Sequence, residues 1–466
     1  MSAAAVRPEY DWAGYGFDTR QVHVGEYEDQ NHGVRIPPLA LSAGYVFEDF
    51  DDCVARFQGR PARGSMEEPD VFPQEPPSAI YSRQGNPTNT VAEQRLASLE
   101  GGTEAVAVSS GQAAISSALF TLAQSGDHIV STASIYGGTR ILFGRSFKRF
   151  GIEVDYVWDA NDDAEWEAMI RPNTKAIYTE TVPNPRNDVT DLHRIASIAA
   201  KYNLPLVVDN TVGTPALIRP IEHGANIVVH STTKFLTGHG TAVGGAIVDG
   251  GTFDWPAAEA AGRSYPLINN APRPGARSIF ERFGTAHAYA RAAREQVVND
   301  IGPALSPFSG FLLQQGMETL SLRMERHVAS TQRIAAWLET QPEVESVDYA
   351  GLPSNPLFDL AARDYGLDAT GTYANTGSVF GVTVRGGIEG ARAFTDGLRI
   401  FSRMTGIGDT RSMIIHPGTS THASFTPEIN ERLGITPGLL RLSVGIESVE
   451  DLITDLRAGL DRVAAL

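Results

Sequence analysis

Between about residues 100 and 250 the chain alternates short apolar runs with longer segments of helical pattern, and this alternation narrows the possible folds most. The runs 105–109, 128–132, 153–157, 175–180, 205–209, 226–230 and 242–248 have strand length. Segments 112–124, 138–149 and 191–202 between them carry helical spacing. Strands alternating with helices predict an α/β fold with a mostly parallel sheet buried on both faces. Thr190, just before Asp191, is the expected N-cap of the third segment.

The flanks read differently. Residues 1–79 form an N-terminal arm rich in Pro, Gly and aromatics, and 59–79 within it is a loop carrying Pro61, Pro69, Pro73, Pro76 and Pro77. The α/β unit is expected over 80–282. From 283 to 466 amphipathic helices dominate, and Leu320, Met324, Val328, Ile334 and Leu338 recur at near-helical spacing. Strands near 344–349, 378–384 and 440–444 complete a smaller α+β C-terminal domain. The last helix is expected to start at Ser448-x-x-Asp451 and to bury Leu452, Leu456, Leu460 and Val463.

Composition excludes several classes. A net charge of −17 repels nucleic acid and anionic membranes alike. No stretch approaches the ~18 apolar residues of a membrane span. A single cysteine, Cys53, leaves no internal disulfide and fits a reducing cytoplasm. Its place on the apolar side of the helical run 51–57 suits packing better than nucleophilic catalysis. The histidines show no helical His pair with Glu, so no metal is expected.

The chemistry concentrates in His230-Ser231-Thr232-Thr233-Lys234-Phe235. Lysine is seldom buried without a task. An amine that forms a Schiff base must lose its proton near neutral pH, which partial burial promotes. Ser231 and Thr233 carry hydroxyls suited to a phosphate, although a surface lysine at a strand end would look similar. Asp209 closes the run 205–209, so it should emerge at the carboxyl edge of the sheet, where open α/β folds place ligands. A buried carboxylate there would keep the pyridine nitrogen of pyridoxal 5′-phosphate protonated; alternatively Asp209 caps a turn through Asn210 and Thr211. Ser109-Ser110-Gly111-Gln112 lies at a strand-to-helix junction that favours an anion.

Taken together these residues resemble the Cys/Met-metabolism family of pyridoxal-phosphate enzymes, the cystathionine γ-synthase-like group with the aspartate-aminotransferase fold (fold type I). The resemblance rests on Tyr81-Ser82-Arg83-Gln84-Gly85-Asn86-Pro87-Thr88, Ser110-Gly111-Gln112-Ala113-Ala114, Tyr136-Gly137-Gly138-Thr139, Asn184-Pro185, Asp209-Asn210-Thr211, Ser231-Thr232-Thr233-Lys234 and Arg441-Leu442-Ser443-Val444-Gly445. It implies that Lys234 forms the Schiff base and shuttles protons, and that Asp209 pairs with the pyridine nitrogen. Tyr136 would stack on the ring, with Asn184 near its oxygen and Thr211 beside the cofactor. Gly111, Gln112, Ser231 and Thr233 would hold the phosphate, joined by Tyr81 and Arg83 from a neighbouring subunit. Tyr136 and Tyr81 would assist Lys234 in catalysis. Arg441 would clamp the substrate carboxylate. Sharing Tyr81 and Arg83 implies a homotetramer built from dimers.

The strings 238–241, 248–255 and 317–327 look most like the branch that replaces the acetate of O-acetylhomoserine by sulfide or a small thiol. The alternatives are a methionine or cystathionine γ-lyase, an O-succinylhomoserine-using synthase, and a non-catalytic scaffold on the same fold; retention of Lys234, Asp209, Tyr136 and Arg441 together argues against the last. Three departures bear on specificity: the long loop 59–79, which either shapes a neighbour's entrance or is an inert insertion, the apolar stretch 38–44, and Gly406 where relatives usually present Asn or Ser.

Overall fold

The computed structural model describes residues 12–26, 33–57 and 80–466, so the loop 59–79 lies outside the described residues. Seven strands form the larger sheet: β1 (Glu104–Val108), β2 (His128–Thr132), β3 (Glu153–Val157), β4 (Thr174–Glu180), β5 (Leu206–Asp209), β6 (Ile227–His230) and β7 (Gly245–Asp249). Their order is β1-β7-β6-β5-β4-β2-β3. Only β7 runs antiparallel to its neighbours.

Alternate residues along each strand feed different cores, as a pleat of period two requires. Leu206 and Val208 join one apolar cluster and Val207 the other; Val228 joins the first, Ile227 and Val229 the second. Burial on both faces explains why the runs read as continuously apolar. The expected 242–248 strand starts later, at Gly245. Residues before it are drawn into the lysine loop, where Gly244 N–H donates to the Thr233 hydroxyl at 3.0 Å and its carbonyl accepts from it at 3.1 Å.

Asp191, not Thr190, caps the helix Leu192–Lys201, accepting the Arg194 N–H at 3.2 Å. Thr190 instead donates its backbone N–H to Thr181 at 3.1 Å. The expected 138–149 helix is one short α-helix, Gly137–Ile141, continued by a π-helical turn, Leu142–Phe147. Cys53 is half-buried in the helix Phe50–Phe57, whose fully buried polar member is Asp52, ion-paired with Arg56 at 2.8 Å.

A second, five-stranded sheet runs β10-β11-β12-β9-β8, with β8 (Val344–Asp348), β9 (Val379–Val384), β10 (Ser402–Arg403), β11 (Met413–Ile415) and β12 (Leu439–Ser443). Helix Val449–Ala464 covers it through Leu452, Leu456, Leu460 and Val463, and Ser448 caps it by accepting the Asp451 N–H. The expected boundary at 282/283 falls inside the helix Ile279–Ala292, whose Tyr289 and Ala292 belong to the larger sheet's core. Helix Leu320–Glu339 makes the transition instead. Its Leu320 and Met324 pack with the larger sheet, its Ile334 and Leu338 with the smaller. A helical apolar stripe does not record which sheet it covers, so the pattern could not place this crossing.

Candidate active site

The carboxyl ends of β4, β5 and β6 converge, and each ends in a titratable residue: Glu180, Asp209 and His230. Glu180 and Asp209 are direct partners across the β4–β5 pair. Asp209 is buried; one carboxylate oxygen accepts the Thr211 N–H at 2.9 Å, and the Tyr178 hydroxyl donates to the other at 3.4 Å. Burial raises its pKa, opposed by Thr211 and by the nearby His230. Glu180 is pushed well above the carboxylate range by burial and by the Asp209 charge. Glu180 also accepts the Tyr136 backbone N–H at 2.7 Å, which fixes the start of the 137–141 helix. A buried carboxylate with only neutral donors around it is poised for a cationic N–H, which a protonated pyridine supplies.

The third strand is anchored from below. His230 Nε2 meets Glu100 at 2.6 Å with both side chains fully buried, and Asn210 donates to the same Glu100 oxygen at 2.8 Å. This holds the ends of β5 and β6 at one height. Thr211 Oγ1 then accepts the Ser231 N–H at 2.8 Å, joining the two loops that follow.

Next to them starts the helix Gly111–Leu122, capped by Ser110 through the Ala113 N–H at 3.1 Å. A Cβ on Gly111 would lie 2.6 Å from Ser231 Cβ, so only glycine lets the helix N-terminus close on the lysine loop. This sets the helix N-terminus, with its free backbone N–H groups, against the Ser231 side chain, an arrangement that suits a phosphate. Gln112 and the Tyr136 ring both border Gly138, where an added Cβ would run into the ring. The Thr233 hydroxyl proton is already committed to Gly244, so a phosphate contact there would exchange that bond.

Lys234 follows at the lip of this cradle, half-buried. Burial and then the Arg441 charge lower its pKa, favouring the neutral amine. Arg441, from β12, is itself buried and pushed down to about 10, which leaves it charged at neutral pH. One terminal nitrogen donates to the carbonyls of Thr405 and Gly406, each at 2.9 Å, and the other to Asn184 Oδ1 at 3.4 Å. Its Nε is buried with no hydrogen-bond partner. Gly406 thus serves through its carbonyl. A side chain there would press on Met404 Cε at 2.8 Å and Met413 Sδ at 3.1 Å.

Lys234, Asp209, Thr211, Ser231, Thr233, Gly111, Gln112, Tyr136, Asn184 and Arg441 therefore surround one region. Tyr81 and Arg83 stand apart on an exposed edge, where Arg83 stacks over the Tyr81 ring at 5.6 Å and donates to Asn299 Oδ1 at 2.6 Å. Sequence reasoning overlooked Glu180, Glu100 and Tyr178. The first closes a buried strand just as Asp209 does, and the same reading applied to β4 finds it.

The model of the Cys/Met metabolism PLP-dependent enzymes matches residues 18–461. The chain belongs to that family. Pyridoxal phosphate is its cofactor, and the buried Asp209, the glycine-closed cradle and the depressed Lys234 fit that group. An O-acetyl-L-homoserine sulfhydrylase from Corynebacterium glutamicum is 39% identical over 455 residues, covering 97% of this chain and 99% of that one. A homocysteine synthase from Schizosaccharomyces pombe is 41% identical over 448 residues, 96% of this chain and 98% of its own. A solved Campylobacter jejuni structure, described as an O-acetylhomoserine (thiol)-lyase with N′-pyridoxyl-lysine-5′-monophosphate in its chain, superposes with a TM-score of 0.85. It is 32% identical and covers 96% of this chain and 100% of its own.

Proposed function

We propose that this family member is an O-acetylhomoserine sulfhydrylase: it converts O-acetyl-L-homoserine and sulfide, or a small thiol, into homocysteine, or its thioether, and acetate. The observation that carries the reading is the buried Arg441 guanidinium, held by Asn184 and two backbone carbonyls and close enough to Lys234 for its charge to depress the amine. An amino-acid carboxylate docked there as a charge-assisted pair sets the Cα and Cβ hydrogens toward that amine.

Bound pyridoxal phosphate supplies an electron sink for the carbanionic charge that develops beside Cα. The protein does the rest. Asp209 would pair with the protonated pyridine nitrogen, while Gly111, Gln112, Ser231 and Thr233 would hold the phosphate. Tyr136 would cover the ring, and Thr211 ties Asp209 to the lysine loop. Lys234, as a neutral amine, removes the Cα proton, hands that proton on and so regains the lone pair that takes one from Cβ, and returns protons once the thiol has added at Cγ. The bond from Cγ to the acetate oxygen breaks and one from Cγ to sulfur forms, so one acetate leaves for each sulfide consumed.

The same reading makes the enzyme a homotetramer of dimers in which the partner subunit's Tyr81 and Arg83 complete the phosphate site. Tyr81, Leu41, Val46, Phe50 and Phe57 are all exposed in the single chain, which is the pattern of an arm covered by a second copy. The cytoplasm is the proposed location, and no described helix is long and apolar enough to cross a membrane. Product analysis tests the reaction. Acetate and homocysteine should appear in equal amounts from O-acetylhomoserine and sulfide; 2-oxobutanoate and ammonia in their place would make the protein a γ-lyase.

A further inference from the structure

Away from the cofactor pocket, three metal-competent donors from distant parts of the sequence meet. His193 lies in the first turn of the helix Leu192–Lys201, His223 ends the 3₁₀ turn Pro220–His223, and Asp364 lies in the helix Phe358–Tyr365. His193 Nε2 and His223 Nδ1 are 3.0 Å apart, and an Asp364 oxygen lies within 4.8 Å of both. Beside them opens a cleft of about 310 Å³ lined by His223 and Asp364, with Arg219, Glu222 and Pro215 along its wall.

A single N–H···N bond between neutral imidazoles accounts for the 3.0 Å contact. The carboxylate beside it is held by its neighbour Arg363. The Asp364 side chain is 1% exposed, and Arg363 donates to both its oxygens, at 2.6 and 2.9 Å. Each carboxylate oxygen offers two lone pairs, so each keeps one beyond its bond to Arg363. Two imidazole nitrogens on a common tetrahedral ion, with bonds of about 2.0–2.1 Å, stand about 3.3–3.4 Å apart, a few tenths of an ångström beyond the His193–His223 contact. The exposed His193 ring and the open cleft leave room for water at the remaining positions. Two imidazoles and one carboxylate suit zinc-like ions and are poor for magnesium or calcium, which prefer oxygen throughout.

We infer that His193, His223 and Asp364 form a binding site for a divalent transition-metal ion of the zinc class, separate from the cofactor site. The ligands also span the molecule. Two stand on elements that connect strands of the larger sheet, and Asp364 stands on the helix between β8 and β9 of the smaller one. Arg363 already crosses this seam to Asp191 at 3.0 Å. An ion here clips the two sheets together and stabilises the folded chain by mass action. Local sequence spacing pointed away from any metal because these ligands are far apart along the chain.

The test uses untagged, chelator-stripped holoenzyme dialysed against zinc near neutral pH, with bound zinc and thermal unfolding both measured. One zinc per chain at micromolar affinity or tighter, with a raised Tm, is expected. His193→Gln, at an exposed position, and Asp364→Asn should each weaken binding at least about tenfold, since removing even an indirect partner of a ligand costs that much. Both should shrink the Tm shift at a fixed zinc concentration while the γ-replacement activity of the zinc-free protein stays unchanged. Absence of saturable zinc, or unaltered affinity in His193→Gln, overturns the site; the latter result places the zinc elsewhere, such as on the cofactor.

Discussion

Replacing Arg441 by lysine separates its roles as charge and as fork. In the wild type one guanidinium nitrogen is held by two backbone carbonyls and another by Asn184, which fixes the plane of the fork. Lysine keeps a positive charge but has no second prong and no rigid plane. The loss is about one charge-assisted hydrogen bond, ~1.5–3 kcal/mol, which corresponds to a fall of roughly 10- to 150-fold in kcat/KM. Because the carboxylate is bound alike before and during the reaction, most of the change belongs in the KM for the amino-acid donor rather than in kcat. Steady-state kinetics with donor and sulfide varied independently measure this, with cofactor absorbance as a check on folding. A donor KM within threefold of wild type, or an effect confined to sulfide, refutes the carboxylate clamp.

Other perturbations probe the cradle, the ring nitrogen and acid stability. Asp209→Asn removes one partner of a buried ionic contact, a loss of about 3–5 kcal/mol, so pyridoxal phosphate should dissociate at least roughly 100-fold more readily in equilibrium dialysis. Gly111→Ala sets a Cβ 2.6 Å from Ser231 Cβ; overpacking of about 1–3 kcal/mol should open the cradle and weaken cofactor retention, and unchanged retention would contradict it. His327 and His422 are both held near 4 by burial, against an ordinary 6.5, so the unfolded chain takes up these protons first as pH falls. Their stabilisation is complete above about pH 6.5 and is lost progressively toward pH 4, on the order of 3 kcal/mol each. Urea midpoints should fall over that window, and the His327→Asn/His422→Asn double variant should show a shallower slope.

Much of the fold was legible because the larger sheet is buried on both sides. Continuous apolar runs mark its strands, and the carboxylate or lysine at their ends marks the site. What escaped depends on contacts between distant segments. Strands β10 and β11 have two and three residues, too few to show a period. The helix that passes from one sheet to the other presents one unbroken apolar stripe to both. Asp191 displaced Thr190 as a cap because the neighbouring β4 loop claimed Thr190, a choice set by tertiary pairing. Arg441 was legible through family resemblance, but its orphaned Nε emerges only when Thr405, Gly406 and Asn184 are brought around it. The lowered Lys234 pKa likewise depends on Arg441, which is remote in sequence and close in space.

The central claim, that Lys234 carries the cofactor and moves the protons, is tested most directly by borohydride reduction of the holoenzyme followed by peptide mass mapping. The pyridoxyl-phosphate mass should appear on the peptide containing Lys234, with γ-replacement lost in step with labelling, and Lys234→Ala should bind cofactor without being labelled there and turn over at least about 1,000-fold more slowly. A label on another lysine, or activity that survives reduction or the Lys234→Ala change, would contradict it.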